Sequence, residues 1–268
     1  FLPVSKEGIV KVKDVENAIR EDTVLISVMH ANNEIGTIQP VEAIAKIAKK
    51  RGIFFHSDAV QTIGKLAVDV KKMGVDALAG SAHKFYGPKG IGFMYLRKGI
   101  NVKPIMFGGG QEKKLRSGTE NVAGIVGMGK AIELAVKEMP MAVKKEVRLR
   151  DKIIKEALKI GESWLNGGKE TRICNNANFG FKHIEGEALV IKLDDKGIAA
   201  STGSACSSKE LKPSHVLLAI GLKPWEAHGS LRLTVGKENT SEEIDIALNA
   251  LEKVVKDLRK ISPLTGGN

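Results

Sequence analysis

The sequence has few cysteines and lacks a long apolar run. Its 268 residues include only two cysteines, Cys174 and Cys206, which are too few for a disulfide framework and favour a reducing compartment. No stretch approaches the roughly 18 apolar residues that a membrane helix needs, and the opening residues, FLPVSKEGIV, lack the blocks of a secretory signal. We therefore expect a cytoplasmic protein without a membrane partner. The 43% hydrophobic content is enough for a sizeable core.

Acidic residues are fewer than basic ones. The chain has 42 Lys and Arg residues against 31 Asp and Glu residues, which gives a formal net charge of +11 at pH 7. The lysines are spread along helical patterns such as AKIAKKRG and LEKVVKDLRK, and they are not gathered with aromatic residues into a groove. This distribution favours a solvated surface over direct binding of nucleic acid, and it leaves an acidic protein partner or a tRNA contact open.

The first half of the chain alternates apolar runs with helical patterns. The runs include TVLISVMH, IFFHSDAV and IGFMYLR, and VEAIAKIAKKRG is one of the helices between them. This alternation predicts parallel strands covered on both faces, which is an α/β architecture. Ligands of such sheets gather at the carboxyl ends of the strands. We expect three polar clusters to meet there, namely His30 with ANNEIG, Asp58 with AVQ, and Ser81 to Lys84.

The second half of the chain has a different pattern of helices and strands. From Glu120 the pattern is helical over two stretches, with Pro140 as the expected break between them. Short strands and helices follow in NFGF, GEALVIKLDDKG, IAASTGSACSS and SLRLTV, and an amphipathic helix begins at Ser241. The change in pattern predicts a domain boundary near Pro140.

The residues at the predicted sheet edge suit one class of cofactor. An ionised Asp58 at a buried strand end needs a cation or several donors, and Lys84 is costly to bury as well. A lysine amine, the Ser81 hydroxyl and the His83 imidazole suit a phosphate, while the carboxylate suits a protonated ring nitrogen. Pyridoxal phosphate requires both, together with a lysine for its Schiff base. Taken singly, Asp58 also fits a helix N-cap or a salt bridge, and Lys84 fits an ion pair.

The histidines near the strand ends suggest an alternative. His30, His56 and His83, together with Asp58, could hold a metal ion, since HSD resembles a His-x-Asp pair. No residue supplies an obvious catalytic base for a metal-bound water, and strand-end histidines are ordinarily satisfied by hydrogen bonds. The cofactor interpretation is therefore favoured over a metal site.

Five motifs, in order along the chain, resemble the pyridoxal-phosphate cysteine desulfurases. They are ANNEIGTIQP, HSDAVQTIGK, SAHKFYGPKGIG, GGGQEKKLRSGTENVAGIVGMGKA and STGSACSS. These enzymes belong to the class V aminotransferases of fold type I, and the form of the last motif is similar to that of the NifS/IscS-like branch. The resemblance implies a mainly parallel sheet flanked by helices in an incomplete large domain, residues 1–139. It also implies a smaller α+β domain, residues 140–268.

The resemblance gives cofactor roles to five residues. Lys84 matches the Schiff-base lysine, and Asp58 matches the partner of the pyridine nitrogen. Gln61 matches the donor to the phenolic oxygen. Ser81 and His83 match phosphate ligands. All five residues follow the strands that the apolar runs predict.

Three more residues match groups that bind cofactor or substrate. Thr119, in RSGTEN, matches a residue that reaches the phosphate bound by the other subunit, which implies a homodimer with shared sites. Asn33 and Arg232 match groups that hold the substrate carboxylate, with Arg232 as a bidentate fork and Asn33 also among the cofactor-binding residues.

Cys206 lies in a stretch rich in glycine and serine. Taken alone, a cysteine among small residues fits a packing position, although a flexible loop also suits a nucleophile that must travel. The resemblance implies that Cys206 takes sulfur from L-cysteine as a persulfide and that L-alanine is released. The sulfur then passes to an iron-sulfur cluster scaffold or to a tRNA-thiolating enzyme. Cys174 matches no active residue, and we expect it to be structural.

The family pattern includes an N-terminal third that precedes the strand beginning here at Thr23. That third supplies a glycine-rich turn, a threonine and a histidine to the cofactor. Because the chain opens on Phe1, we expect a piece of a longer or split enzyme in preference to a short paralogue. Two alternatives to a desulfurase stay open. One is an inactive remnant that serves as a dimerisation or partner-binding module, and the other is a related lyase such as selenocysteine lyase.

Overall fold

The computed structural model describes residues 1–203 and 213–262, and the chain forms two compact units. The four-stranded unit consists of Ile19–His30 and Val41–Met139. The three-stranded unit consists of Phe1–Ala18, Ala31–Pro40 and the residues from Pro140 onward. The units thus change at Pro140, and two N-terminal segments group with the C-terminal residues. The division into domains 1–139 and 140–268 stays a prediction.

The four-stranded unit contains a sheet of order β1-β2-β3-β4. Its strands are β1 (Leu25–Met29), β2 (Phe54–Asp58), β3 (Ala77–Ser81) and β4 (Gly92–Leu96). The first three strands are parallel, which confirms the predicted mainly parallel α/β sheet. β4 is antiparallel to β3, so the expectation that IGFMYLR is a parallel strand was wrong. The connection holds a single 3₁₀ turn, Ala82–Phe85, and is too short for the crossover that a parallel pair requires.

Helices α2 (Val41–Lys50) and α3 (Val70–Met73) connect these strands. α2 buries Val41, Ile44, Ala45 and Ala48, which is the i, i+3, i+4, i+7 spacing of an amphipathic helix. Large apolar side chains of the same unit are fully buried, namely Phe55, Leu78 and Phe85. The sheet is therefore anchored by apolar burial, and polar residues are left to the ends of its strands.

The three-stranded unit is an antiparallel sheet packed with helices. Its elements are α1 (Val12–Ala18), β5 (Ser163–Leu165), β6 (Asn176–Phe181), α5 (Gly186–Asp194), α6 (His215–Ala219), α7 (Pro224–His228), β7 (Ser230–Thr234) and α8 (Ser241–Ile261). Phe179 and Leu231 from the sheet form one core cluster with Leu189 of α5 and Leu251 of α8. This arrangement is of the α+β type that the sequence predicts.

Helix α4 (Val122–Ala157) runs without interruption through Pro140. The expected break at Pro140 was wrong. A proline removes one N–H donor from the helix and crowds the preceding turn, at a cost of ~3 kcal/mol. Strong helix formers on both sides, as in AIELAVKEM and AVKKEVRLR, keep the helix continuous.

Helix α8 begins at Ser241, as the sequence predicts. The Glu243 N–H donates to the Thr240 hydroxyl at 3.2 Å, and the Thr240 N–H donates to the Glu243 carboxylate at 3.0 Å, which forms a capping box. Arg259 and Lys260 occupy the last turn, where positive charge is favoured. Among residues 1–203 and 213–262, no helix combines the length and apolar character needed to cross a bilayer.

Gly180 on β6 is tightly packed, so its replacement by alanine tests the packing of the three-stranded unit. A methyl group at this position would overlap the indole of Trp164 on the paired strand β5. We expect Gly180→Ala to lower the free energy of unfolding by about 1–3 kcal/mol because of overpacking. Gly161→Ala is the matched control, since Gly161 has no heavy atom within 4 Å of an added methyl group, and its effect should stay within ~0.5 kcal/mol. Equal urea midpoints for the two variants would contradict this packing.

Candidate active site

The carboxyl ends of β1, β2 and β3 lie at one edge of the four-stranded sheet. Met29 is paired with Asp58, and Asp58 is paired with Ala79, so Ser81 lies only two residues beyond this register. The His30 N–H donates to the Asp58 carbonyl oxygen at 2.8 Å. Because neighbouring strands are about 4.8 Å apart, the three predicted polar clusters begin at one sheet edge.

Asp58 is half-buried at the end of β2. Its Oδ1 atom accepts a hydrogen bond from the Val60 N–H at 2.8 Å, which fixes the direction of the carboxylate. Within residues 1–203 and 213–262, no cation pairs with Asp58. The salt-bridge interpretation therefore has no support in the described chain, and Asp58 can accept from a cationic ligand group.

Lys84 lies in the 3₁₀ turn that follows β3 and is half-buried. The side chains of Ala82 and Phe85 in the same turn are buried and hold it in place. The Lys84 carbonyl oxygen accepts from Lys65 Nζ at 3.0 Å. The Lys84 ammonium makes no hydrogen bond or ion pair with any described residue. A partly buried amine left without a partner beside a sheet edge suits covalent chemistry with a carbonyl compound.

Ser81 and His83, the predicted phosphate ligands, lie together. The Ser81 hydroxyl and His83 Nδ1 are 2.9 Å apart, while the His83 ring is exposed. Gln61 is half-buried one turn after Asp58. Thr119 is exposed within the same unit. Ser81 and His83 are thus in contact, Asp58 and Lys84 follow neighbouring strands, and no contact within the described residues fixes the roles of Gln61 and Thr119.

The strand-end histidines each meet a hydroxyl group. His30 Nδ1 lies 2.9 Å from Thr62 Oγ1, and His56 Nδ1 lies 2.8 Å from Ser27 Oγ. His83 is paired with Ser81, as described above. Over the described ranges, no group of three or more His, Cys, Asp or Glu side chains is placed to hold a metal ion. The metal alternative therefore has no support from this part of the chain.

In the three-stranded unit, Arg232 lies on β7 beside Asn33. Arg232 Nη1 donates to the Asn33 carbonyl oxygen at 2.9 Å, so the two predicted substrate residues are in contact. The backbone of Arg232 also pairs with Ser201, which lies just before the segment that contains Cys206. Cys206 itself falls outside the described residues.

Polar residues that the sequence analysis did not single out hold this region together. The side-chain amides of Asn176 and Asn178 donate to the Glu34 carbonyl oxygen at 3.0 and 3.1 Å. The Asn32 side chain accepts from the N–H groups of Glu34 and Ile35. The available signal was a run of polar residues, NNANFGF, in a strand that is otherwise apolar; buried polar side chains need partners, so such a run predicts a network.

Cys174 is buried, and its Sγ atom donates to the Glu146 carboxylate at 3.0 Å. Both side chains are 3% exposed. This environment agrees with a structural cysteine, because a reactive thiol needs access and a nearby positive charge.

The residues of the sheet edge fit pyridoxal phosphate. The cofactor requires an amine for its aldehyde, a carboxylate for its ring nitrogen and donors for its phosphate. Lys84 supplies an amine without a partner in the described chain, Asp58 supplies a carboxylate without a paired cation, and Ser81 and His83 supply a hydroxyl and an imidazole. The chemistry of this donor set matches the cofactor.

Comparisons with known proteins give one family. The sequence profile of the class V aminotransferases matches residues 1–247. A cysteine desulfurase IscS of Dictyoglomus turgidum is 53% identical over 264 residues, which are 98% of this chain and 67% of that protein. A solved structure of a NifS-like protein superposes with a TM-score of 0.88 at 40% identity, over 96% of this chain and 68% of the other.

A second solved structure, SspA in complex with cysteine, superposes with a TM-score of 0.75 at 34% identity, over 90% of this chain and 67% of that one. The chain spans about two thirds of the length of the relatives that it matches.

The pKa of His30 makes the stability of the protein depend on pH, and this dependence can be tested. Burial lowers the pKa of His30 below its usual value of 6.5, and the Glu42 carboxylate partly offsets this. The unfolded chain therefore binds the proton more readily, so this stabilising contribution is complete above pH 6.5 and is lost as the pH falls below it. The Thr62 hydroxyl donates to the Ala59 carbonyl oxygen and accepts from His30 Nδ1, a bond that an asparagine amide can replace.

We expect His30→Asn to lose less stability than the unchanged protein when the pH falls from 7.5 to 5.5. The measurement is the urea midpoint of both proteins across this range. Equal losses of stability in the two proteins would show that burial does not lower the pKa of His30.

Proposed function

Because the chain belongs to the class V aminotransferase family, in the branch of the cysteine desulfurases, we propose that it binds pyridoxal 5'-phosphate and converts L-cysteine to L-alanine, with the sulfur held as a persulfide on Cys206. The cysteine desulfurases of this family are pyridoxal-phosphate enzymes. The observation that carries the proposal is Lys84, a half-buried amine without a partner in the described chain, which follows the strand next to the one that ends at Asp58.

The roles of the cofactor residues follow from their chemistry. Lys84 Nζ would hold the cofactor aldehyde, and Asp58 would keep the ring nitrogen protonated. Ser81 and His83 would bind the phosphate, and Gln61 would donate to the phenolic oxygen. When bound, the cofactor supplies an electron sink for negative charge at the substrate α-carbon.

Lys84 would have a second role once the substrate has replaced it at the cofactor and its amine is free. Its free amine would take the α-proton of the substrate and return a proton to carbon, as a general base and then a general acid. The hydrogen bond from Lys65 Nζ to the Lys84 carbonyl oxygen fixes the backbone of the turn, which supports accurate placement of the amine.

Arg232 and Asn33 would hold the substrate carboxylate. A guanidinium group matches a carboxylate with two parallel hydrogen bonds. The contact of Arg232 Nη1 with the Asn33 carbonyl oxygen supports this pairing, because it orients the guanidinium relative to Asn33 before substrate binds. The SspA structure contains cysteine, which supports an amino acid of this kind as the substrate.

The sulfur step is a transfer between two sulfur atoms. The Cys206 thiolate would attack the sulfur of the substrate, so that an S–S bond forms as the bond from the substrate β-carbon to sulfur breaks. The carbon takes up a proton, and the three-carbon product leaves as alanine. The persulfide would then pass to a cytoplasmic acceptor, either an iron-sulfur cluster scaffold or a tRNA-thiolating enzyme.

A homodimer is part of the proposal. Several apolar side chains near Thr119 in sequence are exposed, namely Ile105, Phe107, Val122 and Val126. Exposed apolar side chains of this number support burial against another protein surface. A second copy of the chain would cover them and would bring its Thr119 to the phosphate of the first copy.

Replacing Lys84 tests the cofactor assignment. We expect Lys84→Ala to remove the yellow absorbance of the bound cofactor and to lower sulfide release from L-cysteine by at least about 10²-fold, since both the attachment point and the base are lost. Lys89→Ala is the matched control, because Lys89 is an exposed lysine five residues away. An unchanged absorbance band in the Lys84 variant would disprove the assignment.

Replacing Cys206 separates the sulfur step from cofactor binding. We expect Cys206→Ala to keep the yellow absorbance and its change on addition of L-cysteine, while persulfide, measured by intact mass, and sulfide release disappear. Cys174→Ser should retain both products, since the Cys174 thiol is buried against Glu146. Undiminished sulfide release by the Cys206 variant would mean that another nucleophile accepts the sulfur.

A further inference from the structure

Two asparagines on β6 are buried, and the proposed mechanism does not use them. Asn176 is 4% exposed and Asn178 is fully buried. They alternate along the strand with Ala177, Phe179 and Phe181, which lie in the apolar core, so the two amides are on the opposite face of the sheet. Because an amide is costly to bury without hydrogen bonds, its partners indicate what holds it there.

Both amides donate to one acceptor, the backbone carbonyl oxygen of Glu34. The distances are 3.0 Å from Asn176 Nδ2 and 3.1 Å from Asn178 Nδ2. A carbonyl oxygen has two lone pairs, so both of its acceptor positions are filled. Asn176 Oδ1 accepts from Arg172 Nη1 at 3.1 Å. Asn178 Oδ1 accepts from Asn166 Nδ2 at 2.7 Å, so each amide is fixed in orientation by partners at both of its ends.

The peptide group that precedes Glu34 is fixed as well. The Glu34 N–H donates to Asn32 Oδ1 at 2.9 Å. This N–H and the Asn33 carbonyl oxygen belong to the same planar peptide group, so a hydrogen bond that orients one also orients the other. The Asn33 carbonyl oxygen accepts in turn from Arg232 Nη1 at 2.9 Å. A continuous set of contacts thus leads from the β6 amides to the guanidinium that is proposed to bind the substrate carboxylate.

Arg232 also lies next to Asn178 across the sheet. The two residues are paired in the register of β6 and β7, and the side chains of directly paired residues are on the same face. The segment that carries Asn33 is held at its far end too, because the Ile173 N–H donates to the Gly36 carbonyl oxygen at 2.9 Å. All of these residues belong to the three-stranded unit, so the arrangement is complete within it.

We infer that Asn178 is a positioning residue for recognition of the substrate carboxylate: through the peptide groups on both sides of Glu34, it sets the direction of the Arg232 guanidinium. The inference rests on the proposed function, in which Arg232 and Asn33 bind that carboxylate. Both ends of the Asn178 amide are already occupied, so its effect on the substrate is indirect. Loss of this amide should weaken the binding of ligands that carry a carboxylate and should spare ligands that lack one.

The test replaces Asn178 by leucine, which has the same branching and no polar atom. Phe179→Leu is the matched control, because Phe179 is the next residue on β6, is also fully buried and lies in the apolar core. Both changes lower the stability of the same strand, whereas only Asn178→Leu removes a donor from the Glu34 carbonyl oxygen. If Asn178→Leu does not fold, Asn178→Thr decides with the same measurements, since its hydroxyl is too short to reach that oxygen and threonine suits a strand.

Titration of the cofactor absorbance with two ligands separates carboxylate recognition from a general loss of structure. In Asn178→Leu we expect the Kd of L-alanine to rise by about 10-fold, the effect of one hydrogen bond lost at a buried position, while the Kd of L-alaninamide, which lacks the carboxylate, stays within about twofold. Phe179→Leu should leave both constants unchanged. Equal losses for the two ligands in Asn178→Leu, or no loss for L-alanine, would overturn the inference.

A double-mutant cycle tests whether Asn178 acts through Arg232. Arg232→Ala removes the guanidinium that Asn178 is inferred to direct. In that background we expect the further change Asn178→Leu to alter the Kd of L-alanine by less than about twofold, since the two residues share one effect. Effects that multiply in the double variant would show that Asn178 acts independently of Arg232, and they would contradict the inference.

Amide hydrogen exchange provides a measurement that needs neither cofactor nor substrate. Peptides covering residues 31–38 should exchange faster in Asn178→Leu than in the unchanged protein, because the Glu34 carbonyl oxygen has lost a donor. Exchange of residues 241–261, in the same unit, corrects for the loss of overall stability. After this correction, Phe179→Leu should exchange residues 31–38 at the unchanged rate.

The failure of the inference and that of the proposed function give different results. Unchanged exchange of residues 31–38 in Asn178→Leu would overturn the inference, whatever the ligands do. If the absorbance of the unchanged protein responds to neither L-alanine nor L-cysteine, the proposed function is disproved, and the exchange rates still show whether Asn178 fixes the segment that carries Asn33.

Discussion

The parallel hydrogen bonding of β1, β2 and β3 fixes the position of every residue at the sheet edge. Because parallel strands point the same way, Met29 at the end of β1 is paired with Asp58 at the end of β2, and β3 ends only two residues beyond the partner of Asp58. Asp58 and the turn with Lys84 are separated by one strand-helix-strand step in sequence, yet they follow neighbouring strands. The apolar burial of Phe55, Leu78 and Phe85 holds this register, so the placement of the charged groups depends on packing that has no chemical role itself.

Hydrogen bonds to buried backbone groups organise the three-stranded unit in a different way. The Asn32–Gly36 segment is held by side-chain amides from β6 and by the guanidinium of Arg232 on β7. Each of these side chains also depends on the segment for a partner, since an unsatisfied buried amide or guanidinium is costly. A change at one member is therefore expected to disturb the others.

The two parts of the proposed chemistry have separate structural supports. Cofactor attachment and proton transfer are assigned in this proposal to Lys84 and Asp58, which belong to the four-stranded unit. Binding of the substrate carboxylate is assigned to Arg232 and Asn33, which belong to the three-stranded unit, and sulfur transfer is assigned to Cys206. This separation makes it possible to remove one step by mutation and still observe the other.

The sequence alone determined the α/β class, the strands that carry Asp58 and Lys84, and the family, because period-2 and period-3.6 apolar patterns and local motifs are encoded by neighbouring residues. Prediction from the sequence was wrong where the outcome depends on the length of a connection or on the flanking residues. Pro140 did not end α4, since flanking helix formers outweigh one lost hydrogen bond, and the strand of IGFMYLR is antiparallel because its connection is short. Only the tertiary structure decided that Lys84 has no ion-pair partner in the described chain and that the Ser214 hydroxyl donates to the Glu34 carboxylate. A contact between residues 180 positions apart, such as that of Ser214 with Glu34, leaves no periodic or local signal, because it arises only when separate elements pack together.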